Sequence, residues 1–217
     1  MFRKTWLLCL LLLPLSRLTA QPFKKDIDQF RKEDSAHPPP QHAILFVGSS
    51  SFTKWTDVQK YFPEFKIINR GFGGSTLNDL IFYAPQVIYP YKPKQVVIYC
   101  GDNDLAAGGI VYAASVSNRF RDLFRLIRKH LPDANITFIS IKPSPSNLKL
   151  MSKADSANRA IKLFISSERN AAFVDVYHAM LGGNGRPLPS IFLSDSLHMN
   201  EKGYAIWKKE IEPYLEK

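Results

Sequence analysis

Short apolar runs recur along this chain at Ala43 to Val47, Lys66 to Asn69, Gln95 to Cys100 and Asn135 to Ile139, with Phe173 to Val176 as a fifth. Each is rich in β-branched or aromatic residues and too short for a self-standing helix, which is the pattern of a buried strand. The segments between them change period. From Val111 to His130 the large apolar residues Phe120, Leu123, Phe124 and Ile127 recur at three- and four-residue steps, the spacing of one helix face. Helical spacing returns over Ala154 to Glu168 and Glu201 to Leu215. Strands that alternate with helices predict a mainly parallel sheet covered on both faces, a single three-layer α/β/α domain. In such sheets ligands bind outside the carboxyl ends of the strands. Residues just past each strand are therefore where chemistry is expected.

The 217 residues suit one such domain and are short for two. The first twenty read separately, because Arg3 and Lys4 precede an apolar run from Trp6 to Leu15, and small residues follow at Thr19 and Ala20. That is the layout of a secretory signal peptide over residues 1–20. Its apolar run falls below the roughly 18 residues needed to span a bilayer, so no permanent membrane anchor is expected. Residues 21–41 are charged and then proline-rich, ending in Pro38-Pro39-Pro40, and read as a surface lead-in to a domain over residues 42–217. With the leader removed only Cys100 remains, and one cysteine closes no internal disulfide. Export to a periplasm or the cell exterior is compatible with that count. The formal charge of +10 falls to about +7 without the three basic leader residues, which favours encounter with anionic surfaces or polymers. The basic residues are dispersed, so no nucleic-acid partner is expected.

Four segments carry reactive residue types, three of them just past a strand. Gly48-Ser49-Ser50-Ser51 follows the first run, and such a turn serves either to expose a hydroxyl or simply to cap a helix. Asn69-Arg70-Gly71-Phe72-Gly73-Gly74-Ser75-Thr76 follows the second. Its glycines allow backbone N–H groups to converge on an anion, while the spacings of a nucleotide-binding loop are missing. Gly101-Asp102-Asn103-Asp104 follows the third. It reads as a polar turn or an amide at the same sheet edge, without the further ligands of a cation loop. Asp195-Ser196-Leu197-His198 precedes the final helical segment. In a turn of this spacing the carboxylate can fold back onto the imidazole and fix its tautomer. His42, His130 and His178 are read as lacking such a setting.

GSSS, NRGFGGST, GDND and DSLH stand in the order and approximate spacing of the four sequence blocks of the SGNH (GDSL-like) hydrolases, which this chain resembles over nearly its whole domain. The resemblance implies that family's α/β/α fold and a serine ester hydrolase. Matched block by block, it implies Ser50 as nucleophile with His198 and Asp195 as base and acid. The implied oxyanion hole is formed by the backbone N–H groups of Ser50 and Gly74 and the side-chain amide of Asn103. No metal or organic cofactor is implied, and the expected partner is a small-molecule or glycan ester. Ser49 departs from the family pattern, which has aspartate there. A short acyl group such as acetyl is the expected transferred group, because neither Pro143 to Met151 nor Ala179 to Ser194 offers the long amphipathic helix of a lid. A lysophospholipase or thioesterase, or a non-catalytic carbohydrate- or lipid-binding module on the same fold, stands as the alternative.

Overall fold

A computed structural model describes residues 22–107 and 112–217. The leader and Val111 lie outside them. Five parallel strands, β1 (Ile44–Gly48), β2 (Ile67–Gly71), β3 (Gln95–Tyr99), β4 (Asn135–Ile139) and β5 (Ala171–Val174), form one sheet in the order β2-β1-β3-β4-β5. Every residue of the two central strands β1 and β3 is buried, as it must be for strands covered on both faces. Successive side chains point to opposite faces. Leu45, Val47, Val96 and Ile98 accordingly enter one core with Leu80, Phe120, Leu123 and Ile161, while Ile44, Phe46, Val97 and Tyr99 enter the other with Phe52, Trp55, Trp207 and Ile211.

The first core is covered by α4 (Leu77–Val87), α6 (Ala113–His130) and α7 (Met151–Ile165), and the second by α2 (Ser50–Thr53), α3 (Val58–Tyr61), α8 (Val176–Ala179) and α9 (Glu201–Ile211). The short α5 (Asp102–Ala106) leaves β3 directly. This is the three-layer architecture expected from the sequence. The chain crosses from β1 to β2 on one side and returns to β3 on the other, so β1 and β3 flank the topological switch point, where a crevice opens at the carboxyl edge.

Besides the short helices of four or five residues, two longer ones were not predicted. The lead-in contains α1 (Lys24–Ala36), which buries Ile27 against the first core. Its Asp34 carboxylate accepts hydrogen bonds from the Arg70 guanidinium and from the Tyr91 hydroxyl, the latter at 2.6 Å. Arg70 also lies over the Phe30 ring at 5.1 Å, so a charged residue of β2 clasps the helix to the sheet. The other is α4, which contains Pro85 and starts from a capping box in which Thr76 and Asp79 satisfy each other's backbone N–H groups.

Candidate active site

Gly48 ends β1 at φ +152°, and a Cβ there would stand 1.9 Å from the Tyr99 carbonyl oxygen of β3. Only glycine permits that approach. The chain then turns sharply into α2, with the Ser49 N–H donating to Tyr99 O at 3.0 Å. The turn sorts the three serines: Ser49 and Ser51 are buried, while Ser50 is partly exposed at the crevice. Ser50 Oγ lies 3.0 Å from His198 Nε2.

His198 reaches that position from a buckled loop. Ser196 takes a left-handed φ of +57°, the Leu193 N–H donates to His198 O at 2.7 Å, and Asn200 caps α9 immediately afterward. The same buckle folds Asp195 back. Its Oδ1 accepts the backbone N–H groups of Leu197 and His198, both at 2.9 Å, and its Oδ2 lies 2.6 Å from His198 Nδ1. The imidazole hydrogen bond, followed by the two N–H groups, holds the Asp195 carboxyl well below the usual carboxylate range. An ionised acid on Nδ1 places the imidazole lone pair at Nε2, toward the serine.

Spacing alone does not single out this pair. Asp175 stands three residues before His178, and the two are bonded at 2.8 Å, so the reading of His178 as a histidine without such a setting is corrected. Its side chain is 68% exposed. Location opposite a hydroxyl at the sheet edge distinguishes His198.

The glycine-rich loop after β2 lies against Ser50. A Cβ on Gly73 would stand 3.7 Å from Ser50 Cβ, and Gly74 has φ +88°, a conformation that costs other residues about 1 kcal/mol or more. Phe23, just before α1, packs its ring edge-on to Phe72 at 5.2 Å. Asn103 Nδ2 donates to Ser75 O at 3.0 Å, tying the turn after β3 to the glycine loop and leaving its second amide N–H for another acceptor. The two acids beside Asn103 face inward. Buried Asp104 accepts the Leu77 N–H at the start of α4 at 2.9 Å and pairs with Arg119 at 2.8 Å, and burial raises its pKa. Asp102 bonds the Ser49 hydroxyl, the Tyr99 hydroxyl and Lys142. Sequence reasoning missed this buried cluster, since nothing in the order of residues brings Lys142 beneath the first strand's turn. Among the described residues no His, Cys, Asp or Glu group is arranged to hold a metal ion.

The profile of the GDSL-like Lipase/Acylhydrolase family matches residues 39–206. The chain belongs to that family. As a GDSL-like acylhydrolase it is an ester-hydrolysing enzyme. A comparison with curated proteins finds no match. Among solved structures, a GDSL-like lipase from Bacteroides thetaiotaomicron is 21% identical with a TM-score of 0.74, covering 87% of this chain and 96% of that one. An acetylxylan esterase from Geobacillus stearothermophilus, solved as a catalytic serine-to-alanine variant, is 19% identical with a TM-score of 0.64, covering 81% and 94%. A catalytic histidine-to-alanine variant of that esterase matches at the same values. At these identities the likeness is one of fold, and it extends over nearly all of each neighbour.

Proposed function

We propose that this acylhydrolase works through a serine acyl-enzyme, with Ser50 as nucleophile, His198 as general base and Asp195 as its orienting acid. The continuous relay Ser50 Oγ to His198 Nε2 at 3.0 Å and His198 Nδ1 to Asp195 Oδ2 at 2.6 Å carries this reading. His198 takes the Ser50 proton as Oγ attacks the ester carbonyl carbon, and the carbonyl oxygen becomes the oxyanion. Collapse breaks the bond to the alcohol, which leaves with the proton from His198. Water then repeats the sequence on the acyl-serine and releases the carboxylic acid. The Ser50 and Gly74 N–H groups and the free N–H of Asn103 Nδ2 stabilise the oxyanion.

The substrate we propose is a short acyl ester, such as acetyl, carried by a glycan. Residues 143–151 and 179–194 contain no lid-length helix, only the 3₁₀ turns Pro145–Leu150 and Pro189–Ile191 and the start of a loop after α8. Without such a helix to cover it, the site favours a bulky alcohol side over a long buried acyl chain. The acetylxylan esterase among the fold neighbours acts on an ester of this class by its name. Export by the leader would give the enzyme access to such polymers, and its basic mature charge suits anionic ones.

The test is kcat/KM of the protein from Gln21 onward on p-nitrophenyl acetate against the decanoate, with Ser50→Ala as control. Acetate preference with a dead control is expected. Decanoate preference would move the substrate to lipids, since each buried methylene is worth about 0.8 kcal/mol to an enzyme with a site for it. Turnover surviving in Ser50→Ala would remove the nucleophile.

A further inference from the structure

Beneath the nucleophile's turn lies a buried ion pair that the acyl-transfer chemistry does not use. Lys142, just beyond β4, and Asp102, just beyond β3, have side chains only 1% and 9% exposed, with Lys142 Nζ 3.3 Å from Asp102 Oδ2. The Tyr99 hydroxyl donates to the same oxygen at 3.2 Å and accepts from Lys142 at 3.3 Å. The ammonium also lies 5.5 Å from the centre of the Tyr99 ring. The other carboxylate oxygen, Oδ1, accepts the hydroxyl of Ser49 at 3.4 Å and the backbone N–H of Asn103 at 3.0 Å. One oxygen of Asp102 thus holds the residue before Ser50 and the backbone of Asn103, while Lys142 and Tyr99 hold the other.

Stability does not account for this arrangement. A buried ion pair roughly breaks even against apolar residues of the same volume, because desolvating two charges cancels most of their attraction. What apolar residues could not do is bind a hydroxyl and an N–H from two different post-strand turns at once. We propose that Asp102, oriented by Lys142 and Tyr99, is a positioning residue that fixes the nucleophile turn relative to the Asn103 amide. The proposal rests on the Ser50 mechanism above. In acyl transfer, Oγ and the oxyanion donors must converge on one carbonyl, and a displacement of about 1 Å costs on the order of 100-fold. Ser49 fits this role: a small hydroxyl donor at that position reaches a carboxylate supplied from the neighbouring strand.

The experiment compares Asp102→Asn, Lys142→Met, the double variant Asp102→Asn/Lys142→Met, and wild type. Three readouts are used: kcat and KM on p-nitrophenyl acetate, Tm, and the rate of covalent labelling by an organophosphonate read by intact mass. Wild type is expected to label at Ser50. If it does not, the nucleophile assignment fails and this proposal with it. Given that labelling, Asp102→Asn is expected to lower kcat and the labelling rate between 10- and 100-fold while KM stays within about twofold. Lys142→Met leaves an uncompensated buried carboxylate and is expected to lower both Tm and kcat. The double variant separates the two roles. With both charges gone its Tm is expected to return toward wild type while kcat stays low. Recovery of kcat together with Tm would show the pair to be merely structural and overturn the proposal, as would wild-type kcat and labelling in Asp102→Asn. Should either single variant fail to fold, the double variant still gives the decisive comparison.

Discussion

Replacing Asn103 by alanine tests the oxyanion reading most directly, because the structure separates two consequences of the change. One N–H of Asn103 Nδ2 is committed to Ser75 O at 3.0 Å, and losing that hydrogen bond should cost about 1 kcal/mol of stability. In a domain of this size that is a fall in Tm of roughly 2–4 °C. The second N–H is the one available to the oxyanion, and its loss should lower kcat by roughly 100- to 1000-fold, or about 2.7–4 kcal/mol of transition-state stabilisation. Because the donor acts on charge that develops only after attack, KM should change little. Asn103→Asp should be slower still, since a carboxylate there would face both the Ser75 carbonyl and the oxyanion. The assay is steady-state hydrolysis of p-nitrophenyl acetate at saturating substrate, with thermal unfolding followed in parallel. Asn103→Ala retaining a third or more of wild-type kcat would refute the assignment, and a large rise in KM with unchanged kcat would make Asn103 a ground-state binder.

Three further outcomes are expected. Gly48→Ala would drive a Cβ into the Tyr99 carbonyl at 1.9 Å and should cost more than about 3 kcal/mol by forcing β1 and β3 apart; a Tm within 2 °C of wild type would contradict the close approach. Asp34→Ala would strip the carboxylate from Arg70, whose side chain is 12% exposed, and should destabilise by about 2 kcal/mol while making α1 accessible to limited proteolysis; unchanged cleavage would show that the clasp is dispensable. Asp195 has its folded pKa depressed by His198, so its contribution is complete above the unfolded carboxylate value of about 3.9 and disappears as pH falls below it. The Tm gap between wild type and Asp195→Asn should therefore be full at pH 7 and clearly narrower at pH 2, and a gap that does not shrink in acid would argue against the bond.

Elements whose hydrophobic pattern matched their burial were readable in the sequence to within a residue or two. The strand expected over Asn135 to Ile139 is β4 itself, and the helix ending at His130 is α6. At the fifth strand the register slipped: Phe173 to Val176 was expected and β5 is Ala171–Val174, because Asp175 caps α8 and ends the strand. Helix α7 starts at Met151, earlier than expected, since Leu150 and Met151 continue from the preceding 3₁₀ turn. The unpredicted α1 has a single fully buried side chain, Ile27. Its docking depends on Asp34 meeting Arg70, a contact between distant residues that no local period records. For α4 a local sign existed in Thr76-x-x-Asp79, but Pro85 argued against a helix. At the site, the order of motifs brought forward the residues that meet at the crevice. The family resemblance already picked Ser50 from the three adjacent serines, and the turn agrees by burying the flanking two. The resemblance also chose His198 over His178, a choice that spacing could not have made because both follow an aspartate at the same step.

The end of the chain is fastened at the opposite edge of the sheet from the chemistry. Gln95, the first residue of β3, donates to Tyr214 O at 2.7 Å and accepts the Glu216 N–H at 2.9 Å, and Asn135, the first residue of β4, holds the Glu216 carboxylate at 2.9 Å. A five-residue parallel strand separates that anchor from the crevice by roughly 16 Å. A tether fused after Lys217 would therefore leave from the floor of the molecule and present the cleft outward when the enzyme is fixed to a bead or an electrode. A tag placed before Pro22 would emerge beside Phe23 and the Gly74 loop, where it would crowd the entrance.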